Sequence, residues 1–579
     1  MTRLTLLPHT LLRHTLANRS QRGYVLMTTA LVLVPLLVVS GMAIDYGGNY
    51  WQGAKMQRAA DAAALAGVVW LPDLTKAKSV ANDVMAKNGF PASSTTSVTI
   101  TQVGTRRLQV TVVTPATRFL AGLLLGSNST VTRSGTSEYL QPVPMGSPIA
   151  SLGNDPESAA AAPQIWLNQS GDGSTKGNGD RYSSGVCGSS GSGFSTGCTS
   201  STNTELDDAG YYYVTRVNSV GSGALHIQAF DPAFIYTGDT CTTNSYSASE
   251  ELTLISQYST GIVSDAKAAQ RYDYQNTAYC PGDQKINNLA NLTTTFIVRA
   301  PDATPSDIGD NPAICAISFS PYTSGFYNLL DQTKSGWNTG GGLEGIPFWK
   351  EFRRWVDICT VSSPVVGDYI VQVTTTADQS NPHFSTTASL STSAGAGSLE
   401  HSDSSITTGG HNRFSLRSGF GTSISGTGVS AFARGRLPIF VNSNTSSATF
   451  YLAQLQPQYA GATLSLDFFD IADTAGSATM TVIPPADSNY STFPSCSFVK
   501  DGSPPSAITS SGCAISGLTS SSYDSRVVTL TLVLPSDYTC NSTLSTGCWL
   551  KVRLDFSGTP ADTTTWSASL LGDPVRLVE

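Results

Sequence analysis

Tyr24–Ile44 reads YVLMTTALVLVPLLVVSGMAI, 21 residues without a charge. As a helix rising about 1.5 Å per residue, such a run crosses a hydrocarbon core about 30 Å thick. It continues without a break into Asp45–Trp70, DYGGNYWQGAKMQRAADAAALAGVVW, an Ala-rich stretch that reads as helix. A span fused to a helix that re-enters water predicts an anchor with a stalk. The run exceeds the roughly 7–15 apolar residues of a secretory signal. Gly41, Met42 and Ala43 lead straight into Ile44 and Asp45, without a clean small-x-small cleavage site. Pro35 sits mid-span, where membrane helices tolerate it. A signal peptide cut near Ala43 is the competing reading.

Charge sets the expected orientation. Arg3, Arg13, Arg19 and Arg22 precede the span, and no acid appears before Asp45. The positive-inside rule therefore predicts a cytoplasmic tail over residues 1–22 and export of everything after Asp45. Without those four arginines, 29 of the 33 basic residues remain against 41 acidic ones, a formal charge of −12. That balance argues against nucleic acid as a partner, since binding it needs a basic footprint.

The order of motifs here is Arg22-Gly23, the apolar span, Asp45-Tyr46, Met56-Gln57, then Ala60-Asp61-Ala62-Ala63-Ala64-Leu65-Ala66. This order resembles the N-terminal module of TadE/TadG-like Flp pilus-assembly proteins, closely over about residues 20–70 and loosely over the next seventy. The resemblance implies a bacterial cell-membrane anchor carrying a large exported region, with other pilus-assembly proteins as partners. Thr28, not Glu, stands fifth after Gly23, which speaks against prepilin-type processing. A metal-binding von Willebrand A domain often follows this module. The nearest string for its metal motif, Asp403-Ser404-Ser405-Ile406-Thr407, follows a Gly/Ser-rich stretch and not a hydrophobic strand, so that domain is not expected.

A chain of 579 residues is too long for one core and suggests about three or four domains. Only 13% of its residues are charged, while Ser, Thr and Gly abound, a makeup common in extracellular β-rich proteins. All ten cysteines follow residue 186, which suits an oxidising compartment. Short loop closure favours pairing in order: Cys187–Cys198, Cys241–Cys280, Cys315–Cys359, Cys496–Cys513 and Cys540–Cys548. Zinc is disfavoured, because no Cys-x-x-Cys occurs and the six histidines lack ligand spacing.

The expected fold is mainly β behind the transmembrane helix (23–44). Leu74–Asn88 reads as a short helix stopped by Gly89, and Ser97–Val103, Leu108–Val113 and Thr130–Tyr139 as strands, with Thr117–Leu125 helical. Residues 45–140 would form the stalk and a small α+β unit, and Gln141–Pro163 a linker. Beyond it, period-two runs predict antiparallel sheets: Leu225, Ile227 and Ala229; Tyr369, Val371 and Val373; Phe414 and Leu416. Leu464, Leu466 and Phe468 alternate likewise, as do Val528, Leu530, Leu532 and Leu534. Two β-sandwich or jelly-roll domains follow from this, over 164–430 and 431–579. Phe348, Phe352 and Trp355 sit at helical spacing, which leaves room for a short helix over Phe348–Ile358.

Catalytic strings are sparse. Gly193-Phe194-Ser195-Thr196-Gly197 matches the serine-hydrolase elbow but lies in a Ser/Gly loop, and Ser497-Phe498-Val499-Lys500 lacks its partner motifs. Two oxygen-rich loops offer ligands of the kind calcium takes: Asp172, Asn178 and Asp180, and Asp467, Asp470 and Asp473. Polar turns explain both more simply, with the second the better metal candidate. No other cofactor is implied. Tyr211, Tyr212, Tyr213, Trp337, Phe348, Trp349 and Trp355 would either stack on sugars or fill a core.

The leading expectation is a non-enzymatic, membrane-anchored envelope protein in Flp/Tad pilus assembly or surface adhesion. The alternative is a glycan-binding surface protein that holds envelope polysaccharide. Met56, Ala60, Ala63, Ala64 and Gly67 recur at three- and four-residue steps, and this small-residue stalk face is expected to receive a partner helix or a second copy of the chain.

Overall fold

The computed structural model describes residues 21–71, 74–104, 107–116, 129–139, 142–155, 165–187, 197–199, 202–234, 283–284, 292–302, 308, 311–319, 321, 355–376, 399–402, 409–442, 445–471, 476–494, 496–501, 512–542, 547–558, 560–571 and 575–578. Two compact units emerge. The first comprises Met1–Tyr139 with Val575–Glu579, the second Leu140–Pro574.

The first unit is built on one helix, α1, Gln21–Val68. Its apolar half is exposed all round, with Leu26, Leu31 and Val39 each more than 60% accessible, unlike the core helix of a soluble protein. Among the described residues it is the one helix long and apolar enough to cross a membrane. Its second half is packed. Met56, Ala59, Ala60, Ala63, Ala64 and Val68 are buried at three- and four-residue steps. They meet α2, Leu74–Lys87, which contributes Ala77, Ala81 and Met85. Gly89 ends α2 with φ +89, and Phe90 N–H bonds back to the Met85 carbonyl, closing the helix as expected.

The other partner is a four-stranded antiparallel sheet in the order Ser97–Gly104, Arg107–Pro115, Thr130–Tyr139 and Val575–Leu577. Ile100, Leu108, Val110 and Val112 are its buried face. The first three strands agree with the sequence reading within two residues. The fourth comes from the far end of the chain, with Val575 opposite Tyr139. The helix expected over Thr117–Leu125 lies outside the described residues.

The small-residue face of the stalk is therefore occupied by the chain's own sheet and helix, not left for a partner. A Cβ on Gly135 would lie 2.8 Å from Asp61 N and 2.9 Å from Ala60 C. A Cβ on Gly67 would lie 2.6 Å from Leu108 Cδ2 and 3.0 Å from the Ala77 carbonyl oxygen.

The second unit holds two ten-stranded antiparallel sheets. One runs Trp355–Val361, Leu225–Phe230, His411–Phe420, Ile165–Ser170, Arg436–Asn442, Ala561–Leu570, Thr463–Phe469, Val527–Val533, Cys496–Lys500, with Ser151–Leu152 also paired to His411–Phe420. The other runs Ala313–Phe319, Thr293–Arg299, Gly367–Thr376, Tyr211–Val217, Val429–Arg434, Pro144–Met145, Ser447–Gln454, Trp549–Phe556, Ala478–Ile483, Ala514–Leu518. Their inner faces share a core in which Phe414 meets Tyr213 and Phe296, and Trp566 meets Phe450. Each such fully buried large side chain contributes about 1.5–3 kcal/mol.

The boundary expected at 430/431 falls inside the strand Val429–Arg434. Strands from before and after it lie toward opposite ends of the sheets, and both sheets run across the seam. Ile165–Ser170 pairs with His411–Phe420 on one side and Arg436–Asn442 on the other. Pro144–Met145 bridges Val429–Arg434 and Ser447–Gln454. The segment expected as a linker thus supplies strands, because its Pro and Ser residues interrupt the alternation that marks strands in sequence. The segment Phe348–Ile358 also differs: Trp355–Val361 is an edge strand, and Phe348 and Phe352 lie outside the described residues.

Four of the expected disulfides are present: Cys187–Cys198, Cys315–Cys359, Cys496–Cys513 and Cys540–Cys548. Cys241 and Cys280 lie outside the described residues. Cys315 and Cys359 sit on edge strands of opposite sheets. Cys496 starts the edge strand at the other end of one sheet, and Cys513 precedes the edge strand of the other. The two bonds pin the facing sheets at both outer edges, each contributing about 2–4 kcal/mol.

Ala63 is fully buried against this framework. Ala63→Leu should destabilise the first unit by about 1–3 kcal/mol through overpacking. Limited proteolysis of the full chain in rising urea should show residues 45–139 released earlier than in the parent. Unchanged resistance would contradict the packing described.

Candidate functional site

The junction between span and first unit is held by polar contacts from α1. Gln52 Nε2 donates to Thr114 Oγ1 at 2.7 Å and to the Pro115 carbonyl at 2.9 Å. One turn later, Thr114 Oγ1 donates to Met56 Sδ at 3.3 Å. Gln57 Nε2 donates both to Asp61 Oδ1, one turn on, and to the Ser134 carbonyl, each at 2.9 Å. Gln57, Ala60 and Asp61 are thus the face on which the strand Thr130–Tyr139 rests, and Gly135 is where the approach is closest. Asp45 is buried at the end of the apolar half, while Tyr46, Tyr50 and Trp51 are exposed there, as aromatic side chains are at membrane interfaces.

Residues 23–70 match the family described as putative Flp pilus-assembly TadE/G-like. The match covers α1 from the start of the apolar span to two residues past its end, and so includes the helix side of the contacts just described but not their partners on the sheet. No curated protein and no solved structure matches the chain. The Tad-like segment is therefore similar to a known module, and the two-sheet unit is read from its own geometry.

Most of the candidate residues in that second unit are structural. Tyr211 and Tyr213 lie in the core, and Tyr212 packs on the outer face beside Val214, Ile370, Phe432 and Trp549. Trp355 meets Phe230 edge to face, with the Arg417 guanidinium 4.3 Å from its ring centroid. Trp337, Phe348 and Trp349 lie outside the described residues. Among the described aromatic side chains, those classed as exposed are Tyr24, Tyr46, Tyr50 and Trp51, all on α1. Ser497 lies on an edge strand, and the Lys500 amine donates to the Ser522 carbonyl. Of the hydrolase-like string only Gly197 is described, and Asp403–Thr407 is outside.

In the better of the two oxygen-rich loops, the two described carboxylates each have protein partners. Asp467 accepts from Thr529 Oγ1 at 2.7 Å and pairs with Arg181 at 3.0 Å. Asp470 accepts from Ser525 N–H at 2.8 Å, and Asp473 is outside the described residues. Among the described residues no group of three or more metal-binding side chains occurs.

The other loop, Gly171–Arg181, enters a buried polar cluster that the sequence did not announce. Asp180 accepts from Ser170 N–H, Ser183 N–H and the Tyr211 hydroxyl. Burial raises its carboxyl above the ordinary range, with those hydrogen bonds opposing. Ser170 Oγ and His411 Nδ1 are 2.6 Å apart, both fully buried. Burial, and then the charge of Arg413, push the His411 imidazole well below its ordinary value of 6.5. Beside them Lys176, also fully buried, donates to Glu205 Oε2 at 2.6 Å and to Asn203 Oδ1 at 3.3 Å. Arg181 holds the same carboxylate through both its oxygens, at 3.0 and 2.9 Å. Burial alone would raise Glu205, but hydrogen bonds from Arg181 and then Lys176 outweigh it and hold the carboxyl below its ordinary range. Removing one partner of such a buried pair costs about 3–5 kcal/mol.

His411 gives the second unit an acid-sensitive term. Below about pH 6.5 the unfolded chain binds a proton that the folded chain refuses, so stability falls as pH drops. The slope reaches about 1.4 kcal/mol per pH unit for one proton. Asp180 works in the opposite sense, costing stability as pH rises above the ordinary carboxyl value of 3.8. His411→Asn should flatten the dependence of the urea midpoint on pH between 6.5 and 5. An unchanged profile would show that another group carries it.

Proposed function

We propose that the chain is a single-pass envelope protein that works in Flp/Tad pilus assembly. Its N-terminal tail would lie in the cytoplasm and both folded units outside. The observation that carries this reading is the family match over residues 23–70, which falls on the segment where an apolar span becomes a packed stalk. The arginine bias before the span supports the orientation.

The role proposed is structural rather than catalytic. Support comes from the setting of the Ser170–His411 pair, which is fully buried and turned into the core hydrogen-bond network. The burial of aromatic rings on the outer faces lends no weight to sugar binding. Because the stalk face is filled from within, contact with other pilus-assembly proteins would use surfaces other than Ala60, Ala63 and Ala64.

Deleting the gene segment encoding the chain in its host should abolish or sharply reduce surface pili, and the intact chain should restore them. Normal piliation in the deletion would overturn the reading. Protease added to intact spheroplasts should remove residues beyond about Gly53 and spare the arginine-rich tail. Protection of the second unit, in cells shown to be accessible, would overturn the orientation alone.

A further inference from the structure

We propose that Lys176 and Asn203 join spontaneously through an amide bond from Nζ to Cγ, with Glu205 carrying the proton and ammonia leaving. This goes beyond the pilus-assembly reading and does not rest on it.

The local backbone sets the two side chains face to face. Thr175 bridges to Val186, and Val186 bridges to Thr202, so three short segments run side by side. Cys187–Cys198 fixes the second and third, because Cys198–Thr199 pairs with Thr202–Asn203 as a hairpin. Lys176 follows the first bridge and Asn203 the last. Glu205 comes close because Gly197, at φ +83, has no side chain: a Cβ there would lie 2.3 Å from Glu205 Cγ.

The side-chain geometry is that of an amide poised for attack. Lys176 Nζ lies 3.3 Å from Asn203 Oδ1. The carbonyl carbon, one C=O bond of about 1.23 Å further, is therefore within about 4.5 Å of the amine. Glu205 N–H donates to the same Oδ1 at 3.0 Å, where it would hold the oxyanion of a tetrahedral intermediate. Asn203 Nδ2 donates to the carbonyls of Arg181 and Ser184 at 2.8 and 2.9 Å, which fixes the amide's orientation and gathers the leaving group. The Phe469 ring, 5.4 Å from Nζ, covers the amine with an apolar surface.

Burial of the amine eases the first step, whereas the hydrogen bonds from Arg181 make Glu205 a weaker base. Burial lowers the Lys176 amine below the ordinary lysine range, with Glu205 opposing, so the neutral nucleophile is more accessible than in water. Glu205 Oε2, 2.6 Å from Nζ, takes a proton from the ammonium. The freed lone pair attacks Asn203 Cγ, and the Nζ–Cγ bond forms. Glu205 passes its proton to Nδ2 and takes the second one from Nζ. The Cγ–Nδ2 bond then breaks and ammonia departs. A primary amine and a primary amide become a secondary amide and ammonia, with no oxidant or cofactor.

The natural chain and three single variants test the bond. Full-length protein extracted in detergent is reduced, alkylated and digested with trypsin, then analysed by mass spectrometry. The expected result is no cleavage after Lys176, and the Lys176 and Asn203 peptides joined and lighter by one ammonia. Lys176→Arg and Asn203→Ala should each lose the joined species, and Glu205→Gln should lose most of it. Free peptides with ordinary cleavage after Lys176 in the natural chain would overturn the proposal, leaving a buried ion pair. A joined pair lighter by one water, mapped to Glu205, would overturn it as well.

Discussion

The first unit depends on how near a β-strand can come to a helix. Strand Thr130–Tyr139 rests on α1 where the helix presents Ala60, Ala63 and Ala64, and where the strand itself presents Gly135. Small residues on both sides bring the two backbones into direct contact. That contact gains dispersion energy over many atom pairs, each worth only about 0.1–0.2 kcal/mol. Gln57 then reaches the Ser134 carbonyl and couples the strand to the helix in a fixed register. A long helix rising from an apolar span would otherwise be free along its length. Here its upper half is part of a core.

The second unit solves a different problem, that of closing two wide sheets. Open sheets leave edges that invite further pairing. Disulfides at both outer edges hold the layers together there, and the seam within each sheet is carried by strands shared across it. Near that seam the core is polar. Asp180, His411, Lys176 and Arg181 are costly to bury and are tolerated because nearly every charged group has a partner of opposite charge or several hydrogen bonds.

What could be read in the sequence follows from what periodicity and local motifs encode. The apolar run, α2 with its glycine stop, and the strands around Tyr369, Phe414 and Leu530 all carry their own pattern and stand as expected. Four cysteine pairs followed from loop length. The small-residue face of the stalk was legible as a close contact, but not as one made with the chain's own sheet, because contacts across sixty residues leave no local mark. The strand Val575–Leu577 was missed for the same reason: its three residues are too few for alternation to show. The polar cluster was hidden because His411, Arg413 and Ser415 occupy the positions that alternation assigns to solvent, and they are buried. Asp180 looked like a turn residue and proved to be an anchor point for three donors.

The position of that short strand sets an order in time. The first unit's sheet takes its fourth member from beyond the whole of Leu140–Pro574. A chain made from its N-terminal end delivers α2 and three strands early and the fourth only after the whole of the second unit. Tyr139 and Val575, the two points where the chain leaves and re-enters the first unit, are neighbours across one ladder. That pairing forms only once every residue between them has been made. A chain stalled or clipped partway would leave Thr130–Tyr139 as an open strand edge, a ready mark by which an incomplete molecule differs from a finished one.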